Sequence, residues 1–392
     1  MRGKVVLLVL DGVGVGEAPD AAAFGDVGSN SVGNTARQLG ELALPNLGAF
    51  GMGALTDIPG TPVPAKPLGS WGKIAAISAG KDSTTGHWEM CGLVTEKAFP
   101  TYPQGFPPEV LQPFEAAIGH HVLGNKAISG TVILDELGEQ HFGSGDPIVY
   151  TSADSVFQIA THEEVIELPT LYRWCEIARE QLVGKHHVGR VIARPFVGTP
   201  GHWQRTGGRR DYAVEPPGRS LLQVLESSGH QVIGVGKIED LFSGQGLTDV
   251  DHTTSNAAGM AATLRWHREA RQGAFIFVNL NDFDSLWGHR NDVAGYAQGL
   301  QEFDAWLPQL LGQLSDEDLL LITSDHGNDP TTPGTDHSRE FVPILAVRGQ
   351  SPQGGDLGVR RGLADIAATV LEHWQLPQTL GGRSFLGTLG AW

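Results

Sequence analysis

Short apolar runs that break directly into acidic residues constrain this chain more than any other feature. Residues 319–322 read Leu-Leu-Leu-Ile, too few for a helix and apolar at every position, which predicts a strand buried on both faces as in a parallel sheet. The run gives way to Ser324-Asp325-His326-Gly327, so a carboxylate and an imidazole stand side by side at the carboxyl end of a strand. Beyond a loop turned by Pro330, Pro333 and Gly334 comes His337. Residues 5–10 repeat the pattern and end at Asp11-Gly12, and residues 274–280 lead into Asn281-Asp282-Phe283-Asp284, with His289 on the same loop. Carboxylate oxygen and imidazole nitrogen without thiolate form a donor set for a catalytic divalent metal rather than a structural zinc site.

Around these runs the chain alternates in the manner of a doubly wound fold. Strands are predicted at 71–78, 231–235 and 341–347, and helices at 87–93, 220–228, 256–271, 293–314 and 363–374. The texture changes between 97 and 216, where Pro100, Pro103, Pro107, Pro108 and Pro113 cluster ahead of short strands at 131–134, 148–151 and 189–195 and a helix at 168–182. The expected architecture is therefore an α/β core with a mostly parallel sheet, built from residues 1–96 and 217–392, carrying an inserted, smaller α+β cap at 97–216. In such a sheet the carboxyl ends of the parallel strands share one edge, where the scattered Asp11, Thr85, Asp284 and Asp325 can meet. Three Asp and three His suffice for two divalent ions that keep open positions for substrate oxygens, which is what phosphoryl transfer requires.

Composition narrows the partners. The formal net charge of −17 argues against nucleic acid and anionic membranes, so an anionic small substrate needs a local basic pocket, and Arg190, Arg194, Arg205, Arg209 and Arg210 supply candidates. Cys91 and Cys175 lack metal-type spacing and imply no disulfide framework. Arg2 and Lys4 precede an apolar run too short for a signal sequence, and no run reaches the roughly 18 apolar residues of a membrane span, so a cytoplasmic protein is expected. Other catalytic templates fail: Gly12-Val13-Gly14-Val15-Gly16 does not continue as GxGxxG, His162-Glu163-Glu164 does not complete HExxH, and no GxSxG is present.

Residues 81–89 read Lys-Asp-Ser-Thr-Thr-Gly-His-Trp-Glu. Hydroxyls ahead of a helix serve as caps, yet a helix start also receives phosphate, and a hydroxyl beside a metal can become a phosphorylated nucleophile. Together with Asp11-Gly12, the Asn281 to His289 segment, Ser324-Asp325-His326-Gly327-Asn328-Asp329 and Thr335-Asp336-His337-Ser338-Arg339-Glu340, this stretch resembles the phosphopentomutases of the alkaline phosphatase superfamily. The resemblance runs in order along nearly the whole chain. It implies interconversion of ribose or deoxyribose 1-phosphate and 5-phosphate, with Thr85, the last of three adjacent hydroxyls, as phosphate carrier. It further implies two divalent ions, manganese by expectation, one on Asp11, Asp325 and His326 and the other on Asp284, His289 and His337. Ser152, Asp154, Val156, Arg190 and Ile192 of the cap, around Ala153, and Lys237 of the core match the family's sugar-phosphate region, and a sugar bisphosphate is implied as primer. The rival readings are a metal-dependent phosphatase or phosphodiesterase, a relative of phosphoglycerate mutase, and a non-catalytic sugar-phosphate-binding protein.

Overall fold

The apolar runs fold as strands of one eight-stranded sheet: β1 (Val5–Leu10), β2 (Ser70–Ala75), β3 (Val232–Val235), β4 (Asp249–Asp251), β5 (Phe275–Leu280), β6 (Leu319–Thr323), β7 (Phe341–Arg348) and β8 (Asp356–Arg361). This computed structural model describes residues 3–152, 154–349 and 354–389; Arg2 and Ala153 lie outside them. The chain divides into two units, Met1–Ala98 with Pro216–Trp392, and Phe99–Glu215.

The strand order in the first unit is β4-β3-β5-β1-β6-β7-β2-β8. β1 pairs in parallel with β5 on one side and β6 on the other, while β7 runs antiparallel to both β6 and β2. Every residue of β1, β5 and β6 is buried, because side chains leave alternate faces and both faces are covered. Val6, Leu8 and Leu10 pack with Val32 of helix Ser31–Leu39 and with Tyr296 and Phe303 of helix Val293–Leu311. Phe277 faces the other way, against Phe242 and His87. Each fully buried side chain of this size contributes about 1.5–3 kcal/mol, so the most apolar strands take the middle and the charged strands β4 and β8 take the edges.

Two expectations need correction. Residues 131–134 are not a strand; they belong to helix Gly130–Ser144, in which Ile133, Leu134, Gly138 and His141 are buried at helical spacing while Val132 is exposed. Four residues, three of them apolar, were too few to show which period they obeyed. The helix expected at 87–93 instead spans Ser83–Met90, capped by the Asp82 side chain, so the hydroxyl run forms its first turn rather than its cap.

The second unit is built on a six-stranded sheet ordered Leu123–Ala127, Ile148–Thr151, Val156–His162, Arg190–Val197, Gln204–Arg205, with Arg210–Ala213 also pairing with Arg190–Val197. Helix Leu168–Gln181 packs Leu171, Trp174 and Cys175 against one face of it. Among the described residues, no helix is long and apolar enough to cross a membrane.

Candidate metal centre

Three neighbouring strands of the first unit deliver three carboxylates to one edge. β5, β1 and β6 lie side by side and parallel, and Asp284, Asp11 and Asp325 follow their carboxyl ends. Asp11, Asp284 and Asp325 are at most 3% exposed. The loops are shaped for the approach. Gly12 has φ 82°, and a Cβ there would come within 3.1 Å of Asn328 Cβ and 3.3 Å of Asp284 Cβ, so a larger residue would be strained and crowded. After β5 the chain makes a π turn over Phe283–Trp287 and a tight turn over Gly288–Arg290, which returns His289 to the Asp284 side, with His289 Nε2 3.3 Å from Asp284 Oδ2.

The histidines complete the cluster. His326 Nε2 lies 3.4 Å from Asp11 Oδ1 and 3.3 Å from Asp325 Oδ2, and His337 Nε2 lies 3.1 Å from Asp284 Oδ1. The rings of His326 and His337 stand 4.0 Å apart between centroids, and those of His289 and His337 4.7 Å. Two donor sets are each gathered within 4.8 Å: Asp11, Asp325 and His326, and Asp284, His326 and His337. The structure thus brings all six expected ligands together, with His326 at the junction of the two sets.

Electrostatics and hydrogen bonding fit divalent ions. Burial, followed by the charges of Asp325 and Asp284, pushes the Asp11 carboxyl up to about 6, against the pull of Lys237 and His326. Burial acts on Asp284 too, but His337 and His289 outweigh it and hold its carboxyl well below the usual range. His326 is raised because Asp325, Asp11 and Asp284 outweigh its burial. Negative charge concentrated in a dry site calls for cations. His326 Nδ1 lies 3.0 Å from the Gly327 carbonyl and His289 Nδ1 2.6 Å from that of Thr335. Assigned as donors, these nitrogens leave each Nε2 facing the carboxylates, the arrangement of metal-binding histidines.

Several supporting side chains were not singled out from the sequence. Asn279 Nδ2 donates to Asp11 Oδ2 at 2.7 Å, and Asn328 Nδ2 donates to Asp284 Oδ1 at 2.8 Å. His87 Nδ1 lies 2.8 Å from the Ser83 carbonyl and 3.2 Å from Asp325 Oδ2, and its Nε2 lies 3.2 Å from Asn279 Nδ2. Asn279 carried a signal, since it is the one polar residue in the otherwise apolar strand β5. Replacing it by leucine, of similar volume, is expected to weaken divalent-metal binding about 10- to 100-fold. Titration calorimetry on Asn279→Leu against wild type checks this, with the melting curve as control for folding.

The first turn of the Ser83–Met90 helix meets the cluster closely: a Cβ at Gly86 would lie 2.5 Å from the Asp325 carbonyl oxygen. Here the hydroxyls part company. Ser83 Oγ lies 3.3 Å from Asp11 Oδ1 and 3.2 Å from His326 Nε2. Thr85 donates its hydroxyl to Asp82 Oδ2 at 2.6 Å and its backbone N–H to Asp82 Oδ1 at 3.0 Å. Arg339, 3% exposed, fixes the loop ahead of this helix by donating to the carbonyls of Ala76 and Gly80. Lys237 is close enough to Asp11 and Asp282 to favour their charged forms.

Ser152, Asp154, Val156, Arg190 and Ile192 belong to the second unit. There Val156 pairs with Arg190 across neighbouring parallel strands, and Arg190 and Ile192, two residues apart, share a sheet face. Val156 and Ile192 are buried, and Arg190 lies 3.5 Å from both Asp154 and Asp211.

The family model described as the metalloenzyme superfamily matches residues 3–378. A phosphopentomutase of Caldanaerobacter subterraneus subsp. tengcongensis is 53% identical over 389 residues, covering 99% of this chain and 98% of that protein. A phosphopentomutase of Alkaliphilus metalliredigens is 52% identical over 385 residues, with 98% of each chain covered. One of Dictyoglomus turgidum is 53% identical over 386 residues, again with 98% of each covered.

Proposed function

Since the chain belongs to the metalloenzyme superfamily and to its phosphopentomutases, we propose that it exchanges phosphate between the 1- and 5-positions of ribose or deoxyribose through phospho-Thr85 and a pentose bisphosphate. The observation that carries this reading is the meeting of Asp11, Asp284 and Asp325 with His289, His326 and His337 beside the Ser83–Met90 helix. Oxygen and imidazole donors suit manganese, so Asp11, Asp325 and His326 would hold one ion and Asp284, His289 and His337 the other. Bound there, such ions would supply positive charge to the phosphoryl oxygens and lower the cost of forming an oxygen nucleophile at a hydroxyl beside them, the nearest being that of Ser83.

The chain's own groups do the rest. Thr85 carries the phosphoryl group between the two positions of the sugar, and a sugar bisphosphate primes any enzyme that has lost it. Lys237 offers its ammonium to a substrate phosphate. Arg190 holds the sugar phosphate through its guanidinium, Ser152 and Asp154 bond sugar hydroxyls, and Val156 and Ile192 give the sugar an apolar surface.

A second reading of the carrier has its own support, because the Ser83 hydroxyl, not that of Thr85, is within hydrogen-bond reach of Asp11 and His326. One experiment addresses both the reaction and the carrier. Manganese-loaded protein, primed with ribose 1,5-bisphosphate, is given ribose 1-phosphate, and ribose 5-phosphate, free phosphate and the phosphorylated peptide are measured. Formation of ribose 5-phosphate well ahead of free phosphate, with the label on Thr85, is expected. Phosphate release keeping pace with isomer formation points to a hydrolase, and label on Ser83 moves the carrier.

A further inference from the structure

The five clustered arginines of the second unit differ in what offsets their charge. Arg190 lies 3.5 Å from both Asp154 and Asp211, and Arg209 makes paired hydrogen bonds to Asp211 at 2.7 and 2.8 Å. Arg210 stands over the rings of Tyr172 and Tyr212. Arg194 and Arg205 make no ion pair among the described residues, in a chain where 44 Asp and Glu outnumber 27 Lys and Arg. Each is held instead by a buried neutral side chain. Gln158 Oε1 accepts from Arg194 Nε at 3.0 Å, and Tyr150 Oη accepts from a terminal nitrogen of Arg205 at 3.2 Å. Such partners fix a guanidinium without offsetting its charge, and they leave the two terminal nitrogens of Arg194 for another acceptor. Room is kept for Arg205 as well: a Cβ at Gly130, the first residue of helix Gly130–Ser144, would overlap its guanidinium.

The two cations share one face of the sheet. Arg190, Ile192, Arg194 and Phe196 alternate along one strand, and Arg205 pairs with Phe196 from the next. Val156 and Gln158, opposite Arg190 and Ile192, lie on that face too. Burial, followed by the charges of Arg209 and Arg205, draws the half-buried Arg194 guanidinium down to about 10, so it stays charged at neutral pH among like charges. Cations crowded together without a counter-charge are a cost that a bound anion removes.

We infer that Arg194 and Arg205 form a phosphate subsite on the second unit, which takes the phosphate group of the pentose phosphate that is not in transfer. The inference rests on the mutase reading, and it holds whichever hydroxyl is the carrier. A mutase has to keep its bisphosphate bound through two transfers, and at each of them one dianionic phosphate group stands idle. Paired N–H donors on planar guanidinium groups match the oxygens of such a group. Gln158 and Tyr150 are then positioning residues, which act by aiming the two arginines before the ligand arrives.

Arg194→Gln and Arg205→Gln test the subsite in full-length, manganese-loaded protein. The rate of ribose 5-phosphate formation is measured while ribose 1-phosphate and the primer ribose 1,5-bisphosphate are varied in turn. Each substitution is expected to raise the half-maximal concentrations of both compounds about 10-fold or more, while turnover at saturation stays within about threefold of wild type. Gly130→Ala, which displaces the Arg205 guanidinium without removing it, should shift both concentrations in the same direction. Arg173→Gln removes a positive charge from the exposed side of helix Leu168–Gln181 and should leave them unchanged. Wild-type half-maximal concentrations in Arg205→Gln overturn the assignment. So does a fall in saturated turnover with those concentrations unmoved, which is the mark of a merely structural role. A wild type that makes no ribose 5-phosphate overturns the mutase reading instead, and the subsite falls with it. Should Arg194→Gln melt early, Arg205→Gln decides alone, since that side chain is exposed.

Discussion

On the reading of Thr85 as carrier, Thr85→Ala is expected to lower mutase turnover by about 10⁵-fold or more, because a carrier nucleophile has no substitute once its oxygen is gone. The change is gentle in every other respect. Asp82 caps the helix through the backbone N–H of residue 85, which alanine retains. The Thr85 hydroxyl is held by Asp82, which is not one of the expected ligands Asp11, Asp284, Asp325, His289, His326 and His337. Manganese binding by calorimetry and the melting curve should therefore match wild type while phosphoenzyme disappears from the mass spectrum. If turnover survives the substitution, Thr85 is not the carrier, and Ser83, the hydroxyl beside Asp11 and His326, becomes the residue to replace next.

Stripping the protein with a chelator is expected to abolish turnover and to lower stability, with both restored by manganese. Two ions present at about 100 times their dissociation constants would each contribute about 2.7 kcal/mol to the folded state, roughly 5 kcal/mol together. The physical source is the buried acid cluster, in which Asp11 is pushed up to about 6 by burial and by its neighbours Asp325 and Asp284. The direction of the pH effect follows from that shift. A carboxyl raised in the folded state binds its proton there more tightly than in the unfolded chain, so its contribution to stability is lost as pH rises through about 6. Above that pH the stripped protein must keep Asp11 ionised beside Asp284 and Asp325, which imidazoles hold ionised already. The stabilisation that manganese confers should hence grow as pH rises through about 6, as scanning calorimetry of stripped and loaded protein across that range can determine. Equal melting of the two forms at neutral pH would remove the ions from this site.

The sequence by itself determined that residues 5–10, 274–280 and 319–322 are buried strands. Runs so short and so apolar find their stable place in a sheet covered on both faces, and each is followed within a few residues by an acid. It also determined which side chains are candidate ligands, since Asp and His at strand ends have few other uses in such company. Where a run was short and ambiguous, as at 131–134, local pattern could not tell a strand from the buried stripe of a helix. Only the tertiary structure decided that β5, β1 and β6 are neighbours, because nothing within a strand names its partner, and that adjacency is what brings Asp284, Asp11 and Asp325 to one edge. Tertiary packing likewise chose the roles of Asn279, Asn328 and His87, whose partners lie on other strands and loops. The phase of the Ser83–Met90 helix was also its choice: residues two apart on a helix diverge by about 200°, so with Ser83 turned to Asp11 and His326, Thr85 faces away toward Asp82. Hydroxyls written side by side are equivalent as letters, and Ser83 and Thr85 become distinct only once a helix turns them toward different neighbours.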